Sequence, residues 1–323
     1  MRMVTLDDIH AAAERVEPAV VHTPLLAQTW ADVSRPLWLK PETLQPVGAF
    51  KLRGAYNALA CLPAHVRARG VVTHSSGNHA QAVAYAAREF GVRAHIVMPD
   101  GTPRVKIDNT RAYGAEVVLV PIERREQAAA EIVEQRGAVL VPPYDHPDII
   151  AGQGTAGLEI AGELPDVELV LVPVSGGGLA SGIGTAIKAL CPSASVVGVE
   201  PELAADARES LRADVLSDWP VERRARTIAD GLRSQPSELT FAHLRAVLDV
   251  IVTVTEDEIR AAMVTAACQA RLIAEPSGAA TLAAYRYRAD ELPTGRTVAV
   301  VSGGNVEPRL LAEVLGESAC RNA

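Results

Sequence analysis

Cysteine is scarce in this chain of 323 residues, which carries only Cys61, Cys191, Cys268 and Cys320. They lie far apart and form no Cys-x-x-Cys pair, which argues against a zinc site or a disulfide framework and suits reduced thiols. Long apolar runs are missing too, since nothing approaches the length of a membrane span. The first sixteen residues have Asp7 and Asp8 where a secretory leader would need an apolar stretch. A cytoplasmic protein with no membrane partner is therefore expected. Basic residues are outnumbered, 31 against 39, and the net charge of −8 disfavours nucleic acid as a partner. Any anionic ligand must be held by local groups.

What is present is an ordinary globular composition, 48% hydrophobic, 22% charged and only 4% aromatic. A chain of this length buries roughly three quarters of its unfolded surface and is long enough for two domains. From Gly70 onward, short Val/Ile-rich runs alternate with Ala-rich stretches of helical period, the pattern of a parallel sheet covered by helices on both faces. Strands are expected at 71–74, 94–98, 116–121 and 138–141, and in a second series at 167–174, 195–199, 250–254 and 297–301. Ala80, Val83, Ala84, Ala87 and Phe90 share one helical face, so 80–90 should be a helix stopped by Gly91. Thr102 and Pro103 open the next helix and Gly114 closes it. Further helices are expected at 179–190, 256–273 and 278–292, with no repeat and no low-complexity linker.

Three strand-to-helix junctions carry the chemistry. Ser175-Gly176-Gly177-Gly178-Leu179 follows the strand at 167–174 and opens a helix, so successive backbone amides at a helix N-terminus can surround an anion without Cβ clashes. A tight turn that merely needs glycine is the alternative. Ser75-Ser76-Gly77-Asn78-His79 offers hydroxyls, an amide and backbone donors that suit a substrate carboxylate, or else an N-cap and a turn. Ser302-Gly303-Gly304-Asn305 is a third polar loop at a strand's C-terminal end, where ligands of open α/β sheets sit. Ahead of all three lies Lys51, set by Gly48, Ala49 and Phe50 in a small apolar turn. Such an amine is a nucleophile near neutral pH only when burial or a neighbouring cation lowers its pKa, or when it is already held as an imine. Otherwise it is an ordinary surface lysine. No P-loop pattern occurs, and Gly152-Gln153-Gly154-Thr155-Ala156-Gly157 matches a dinucleotide fingerprint only as a string, because no credible strand precedes it. None of the eight histidines is assigned a base role.

Gly48-Ala49-Phe50-Lys51-Leu52-Arg53-Gly54-Ala55, Ser75-Ser76-Gly77-Asn78-His79-Ala80-Gln81, Ala151-Gly152-Gln153-Gly154-Thr155, Ser175-Gly176-Gly177-Gly178-Leu179 and Ser302-Gly303-Gly304-Asn305 together resemble the fold-type II pyridoxal-phosphate enzymes. Their order and spacing match throughout. Within that group the chain looks most like the short threonine/serine dehydratases and serine racemases, from about His22 to Asn305. The resemblance implies an α/β fold of two open, mostly parallel sheets flanked by helices, similar to the tryptophan synthase β chain, with the cofactor in the cleft between domains. The large domain would be 1–67 plus 148–323 and the small one 68–147.

It also implies roles for matching residues. Lys51 would carry pyridoxal 5'-phosphate covalently, Phe50 would pack beside it, Asn78 would bond the ring hydroxyl, and Ser302 would face the pyridine nitrogen. The amides of Gly176, Gly177, Gly178 and Leu179, next to Ser175, would hold the phosphate. Ser75, Ser76, Asn78 and His79 would meet the substrate. A serine at the ring nitrogen does not enforce a pyridinium, which favours β-elimination over transamination. Glu200, the Ala204 carbonyl and Asp206 resemble the Mg²⁺ or Ca²⁺ site of metal-dependent members, and three hard oxygens suit such an ion. A strand-end acid followed by a helix first turn is the alternative there. The 227–231 and 275–278 segments resemble family stretches lining the large-domain side of the cleft.

The activity implied is dehydration and deamination of L-threonine, L-serine or 3-hydroxyaspartate to a 2-oxo acid and ammonia, in a homodimer. The rival is an amino-acid racemase using Lys51 and Ser76 on opposite faces, and a β-replacement synthase is a lesser one. A non-catalytic binder of pyridoxal phosphate or an amino acid is the reading from another class. Ala49 departs from the family, which has a serine before Phe-Lys.

Overall fold

The computed structural model describes residues 2–321 and contains two open sheets. Strands β1 (Leu26–Gln28), β2 (Leu37–Pro41), β7 (Leu169–Pro173), β8 (Ser195–Pro201), β9 (Val250–Val254) and β10 (Thr297–Val301) form the larger, in the order β1-β2-β10-β7-β8-β9. Strands β3 (Val71–His74), β4 (Ala94–Pro99), β5 (Glu116–Val120) and β6 (Val139–Leu140) form the smaller, in the order β5-β4-β3-β6. All pairs are parallel except β1 with β2. The β7 strand is buried at every position, as expected of a central parallel strand covered on both faces.

The helices follow their sequence patterns with informative shifts at their ends. The helix Asn78–Glu89 buries Ala80, Ala82, Val83, Ala84, Ala86 and Ala87, and Gly91 follows it at φ +64°. The helix expected at 256–273 ends at Cys268: Ala270 N–H donates to Thr265 O, Leu272 N–H to Ala266 O, and Arg271 turns left-handed at φ +58°. The helix expected at 278–292 spans Pro276–Tyr287, because Pro276 is suited to a first helical position.

Several elements were not foreseen, among them the helices Leu6–Val16, Lys51–Cys61, Arg125–Arg136 and Glu238–Val247, and two bear on the site. The β1–β2 hairpin was not foreseen, since Trp38 and Lys40 obscure the apolar alternation of β2. Gly152, Gly154 and Gly157 lie inside the helix Pro147–Glu163, and a glycine there lets helices touch closely. A Cβ on Gly152 would stand 2.6 Å from the Arg53 carbonyl and from Gly54 Cα. The fingerprint-like string is thus a helix-packing seam against the helix Lys51–Cys61.

That seam is pinned by charge. Arg53 is fully buried and donates from Nε to Glu42 Oε2 at 2.7 Å and from Nη1 to Glu159 Oε1 at 2.6 Å. Lys40, also fully buried, pairs with Glu159. Two cations and two carboxylates thereby join β2 to both helices. Burial alone would raise the Glu42 carboxyl, but the Arg53 charge and hydrogen bonds hold it below its usual range. Removing one member of a buried pair strands the other, at a cost of about 3–5 kcal/mol. Arg53→Met is therefore expected to lower the unfolding free energy by that amount, read as a reduced urea midpoint with an unchanged slope.

Candidate active site

The polar loops leave the C-terminal ends of parallel strands of the two sheets, and hydrogen bonds join three of the segments. Phe50 N–H donates to Ser302 O at 3.0 Å, Gly304 N–H donates to Gly48 O at 2.9 Å, and Ala49 forms an isolated bridge with Gly303. The turn ahead of Lys51 is thereby stitched to the loop after β10. Gly48 sits at φ +71°, a conformation that glycine adopts without strain. The loop after β3 joins them through Asn78, which starts its helix. Asn305 Nδ2 donates to Val47 O and to Asn78 Oδ1, both at 2.8 Å. Asn78 Nδ2 donates to Glu275 Oε1 at 2.6 Å, and Glu275 N–H reaches Gly303 O at 3.0 Å.

Lys51, half-buried at the first position of its helix, donates from Nζ to Pro143 O at 2.8 Å. Its Nζ also stands 5.0 Å from the Phe50 ring centroid. Among the described residues no carboxylate pairs with it, and burial pulls its pKa down from 10.5 to about 8. Tyr144, next to Pro143, packs against the glycine loop: a Cβ on Gly178 would stand 3.0 Å from Tyr144 Cβ, and one on Gly176 would enter the tyrosine ring. Gly177 turns at φ +90° and caps the helix Gly178–Leu190. Ser175 Oγ accepts from Ser234 N–H at 2.9 Å and donates to Ser234 O at 3.1 Å, which ties the loop's mouth to the 230s.

Ser75, Ser76 and Asn78 are half-buried in the loop after β3, and Ser302 is buried after β10. His79 is buried as well. Its Nε2 donates to Val141 O at 3.0 Å, while Nδ1 finds no partner among the described residues. Burial, reinforced by the Lys51 charge, pushes it down to about 3, so the ring is neutral across the physiological range. Glu275 goes the other way, up to about 7, through burial and then the Asp230 charge. Asp230 itself pairs with Lys106 of the smaller sheet's flank at 2.8 Å.

The acids after β8 form a separate buried cluster. Glu200 accepts from Ala207 N–H at 3.1 Å and from Arg208 N–H at 2.8 Å. Asp206 Oδ2 is buried without a partner among the described residues. Burial and the Asp206 charge raise the Glu200 carboxyl well above its usual range, and burial raises Asp206 to about 6. Among the described residues no group of three or more His, Cys, Asp or Glu side chains comes together that could hold a metal ion.

The profile of a family described as pyridoxal-phosphate dependent enzyme matches residues 16–303. The chain belongs to this family. It is 43% identical over 98% of its length to an L-threonine ammonia-lyase of Thermotoga maritima, covering 79% of that protein. It is 40% identical over 95% of its length to a serine racemase of Oryza sativa subsp. indica, covering 94% of it. Among solved structures, maize serine racemase superposes with a TM-score of 0.92 at 36% identity, with 99% of each chain covered. The fold is that of the fold-type II pyridoxal-phosphate enzymes.

Sequence reasoning passed over several groups that the structure brings to this site. Glu275 and Asn305 were visible only as parts of motifs, Pro143 and Tyr144 only as a loop, and no periodicity could point to them. The lowered Lys51 pKa is directly measurable. In cofactor-stripped protein, trace acylation followed by peptide mass mapping should give Lys51 a labelling midpoint near pH 8, against about 10.4 for exposed lysines; a midpoint at the ordinary value would contradict this environment.

Proposed function

We propose that the chain is an ammonia-lyase that dehydrates and deaminates a β-hydroxy amino acid, L-threonine, L-serine or 3-hydroxyaspartate, to a 2-oxo acid and ammonia. The observation that carries this reading is Lys51, an amine lowered by burial alone, which donates to Pro143 O beside the Tyr144 that packs on the glycine loop and follows the turn bonded to Ser302 O. The residues fit pyridoxal phosphate. Lys51 would hold its aldehyde carbon, the Gly176, Gly177, Gly178 and Leu179 amides with Ser175 its phosphate, and Asn78 its ring hydroxyl. Phe50 would pack alongside, and the Ser302 hydroxyl would meet the pyridine nitrogen. Bound there, the cofactor supplies an electron sink that acidifies the substrate Cα–H.

Everything else falls to the chain's own groups. Ser75 and Ser76, with the amides of their loop, would bind the substrate carboxylate and orient the Cα–H toward Lys51. His79 would stiffen that loop from behind through Val141, presenting a neutral ring to the substrate side. Displaced from the aldehyde carbon by the substrate amine, Lys51 Nζ, with its pKa near 8, would have a substantial neutral fraction at physiological pH and would accept the α-proton, as a general base should. A hydroxyl at Ser302, unlike a carboxylate, would not enforce a pyridinium, which favours loss of the β-hydroxyl over transamination. Keto acid and ammonia should form from one of the three substrates, and Lys51→Ala should reduce the rate at least 10³-fold, on the scale of losing a positioned base. Undiminished turnover by that variant would refute the assignment.

Racemisation is the second reading, favoured by the Ser76 hydroxyl in the carboxylate loop and by the racemases among the relatives. Chiral analysis of unreacted serine separates the two, because Ser76→Ala should abolish inversion while sparing elimination.

A divalent cation, Mg²⁺ or Ca²⁺, would be held by Glu200, Asp206 and the Ala204 carbonyl. The unpartnered Asp206 oxygen and the mutual repulsion of two buried acids support this. Chelator-treated protein is expected to melt several degrees lower and to recover with either ion; indifference to chelation would remove both acids from the ligand set. We further propose the 68–147 segment as a small domain against 1–67 plus 148–323, and a cytoplasmic homodimer as the working state.

A further inference from the structure

Glu275 is a buried carboxylate that the chemistry above does not use. It occupies the N-cap position of the helix Pro276–Tyr287 without a side-chain capping bond, takes the Asn78 amide on Oε1, and stands so near Gly303 that a Cβ there would collide with it. The direction of the Asn78 amide can be deduced from its neighbours. Val47 O is a carbonyl and can only accept, so Asn305 must turn its nitrogen toward it. The second hydrogen of that nitrogen then meets Asn78, which must answer with its oxygen. Asn78 Nδ2 is left facing Glu275, and one of its two hydrogens is spent on Oε1 at 2.6 Å. The other is the single donor that Asn78 retains, and no acceptor function remains on the side chain's nitrogen end.

We propose that Glu275, working with Asn305, is a positioning residue that locks the Asn78 amide so that it offers the cleft a hydrogen-bond donor. This rests on the cofactor assignment above. A ligand oxygen that meets Asn78 must then accept, which selects the deprotonated form of a phenolic ring oxygen over its hydroxyl form. Without the lock the amide could rotate by half a turn and present an acceptor, repelling the same oxygen.

The test is the equilibrium dissociation constant of pyridoxal phosphate, measured on stripped and reconstituted enzyme, together with thermal melting. Glu275→Ala should weaken cofactor binding about tenfold, the scale of one lost hydrogen bond to a charged group. Glu275→Gln retains an acceptor oxygen and should recover most of that loss. In an Asn78→Ala background, Glu275→Ala should add little, because its partner is already gone. An equal loss in both backgrounds, or a Gln variant as weak as the Ala one, overturns the proposal. Should Glu275→Ala fail to fold, Asn305→Asp replaces the donor facing Asn78 Oδ1 with an acceptor and should weaken binding by a similar factor; unchanged binding overturns the proposal too. Wild-type protein that binds no pyridoxal phosphate would instead defeat the cofactor assignment.

Discussion

The buried charge network of Arg53, Glu42, Glu159 and Lys40 is the constraint on which the site depends. Arg53 and Lys51 lie two residues apart at the start of one helix, and both lose water on folding. Their fates differ because their partners differ. Arg53 meets two carboxylates and stays charged, so it can anchor the helix to β2 and to the helix Pro147–Glu163. Lys51 meets a carbonyl and an aromatic ring, so burial drives it toward the neutral amine. One helix start thus supplies rigidity and reactivity through the presence and absence of a counter-ion. The glycine seam at Gly152 and Gly54 makes this possible, since side chains there would force the helices apart and lengthen every bond in the network.

The second organising element is topological. Parallel strands place their C-terminal ends on one edge of their sheet, so the loops after β7 and β10 emerge together from the larger sheet and the loop after β3 from the smaller. Backbone contacts alone then weld the Lys51 turn to the β10 loop, through Phe50 to Ser302 and Gly304 to Gly48. Side-chain amides extend the weld across to the smaller sheet, where Asn305 and Glu275 grip Asn78 from two sides. The Lys106–Asp230 pair adds a more exposed link on the same side of the cleft. Exposed pairs contribute little, about 0–1 kcal/mol, so the buried amide chain is the stronger of the two connections.

Much of this was legible from residue order. Val/Ile runs between Ala-rich helical stretches identified both series of parallel strands, most plainly at β7 and β10, which are buried on two faces and have no polar alternation to confuse the pattern. The chemistry-bearing loops were legible because glycine and small polar residues after such strands have few other uses. The β1–β2 hairpin was not legible: β2 carries Lys40, and a charged residue fits a buried strand only when its partner, here Glu159, lies 119 residues away. The helix Pro147–Glu163 was hidden for a related reason. Its glycines weaken helix propensity locally and are explained only by the close approach of a neighbouring helix. Glu275 and Asn305 stood in recognised motifs, yet their connection through Asn78 spans about two hundred residues and exists only in three dimensions.

Electrostatic balance separates scaffold from site. In the scaffold, charges that lose water are matched, as in the buried Arg53 network and the half-buried Arg288–Glu258 pair at 2.6 Å. Unmatched groups are concentrated elsewhere: Lys51 without an anion, Glu275 raised to about 7, and Glu200 with Asp206 raised together after β8. A buried group that folding leaves uncompensated costs stability, and a fold retains that cost where something else completes the balance. Lys51 lacks a counter-anion and the two acids after β8 lack a counter-cation, so both remain open to a partner of opposite character. The neutral His79 falls between the two classes, its Nε2 bound to the Val141 carbonyl and its buried Nδ1 without a partner among the described residues.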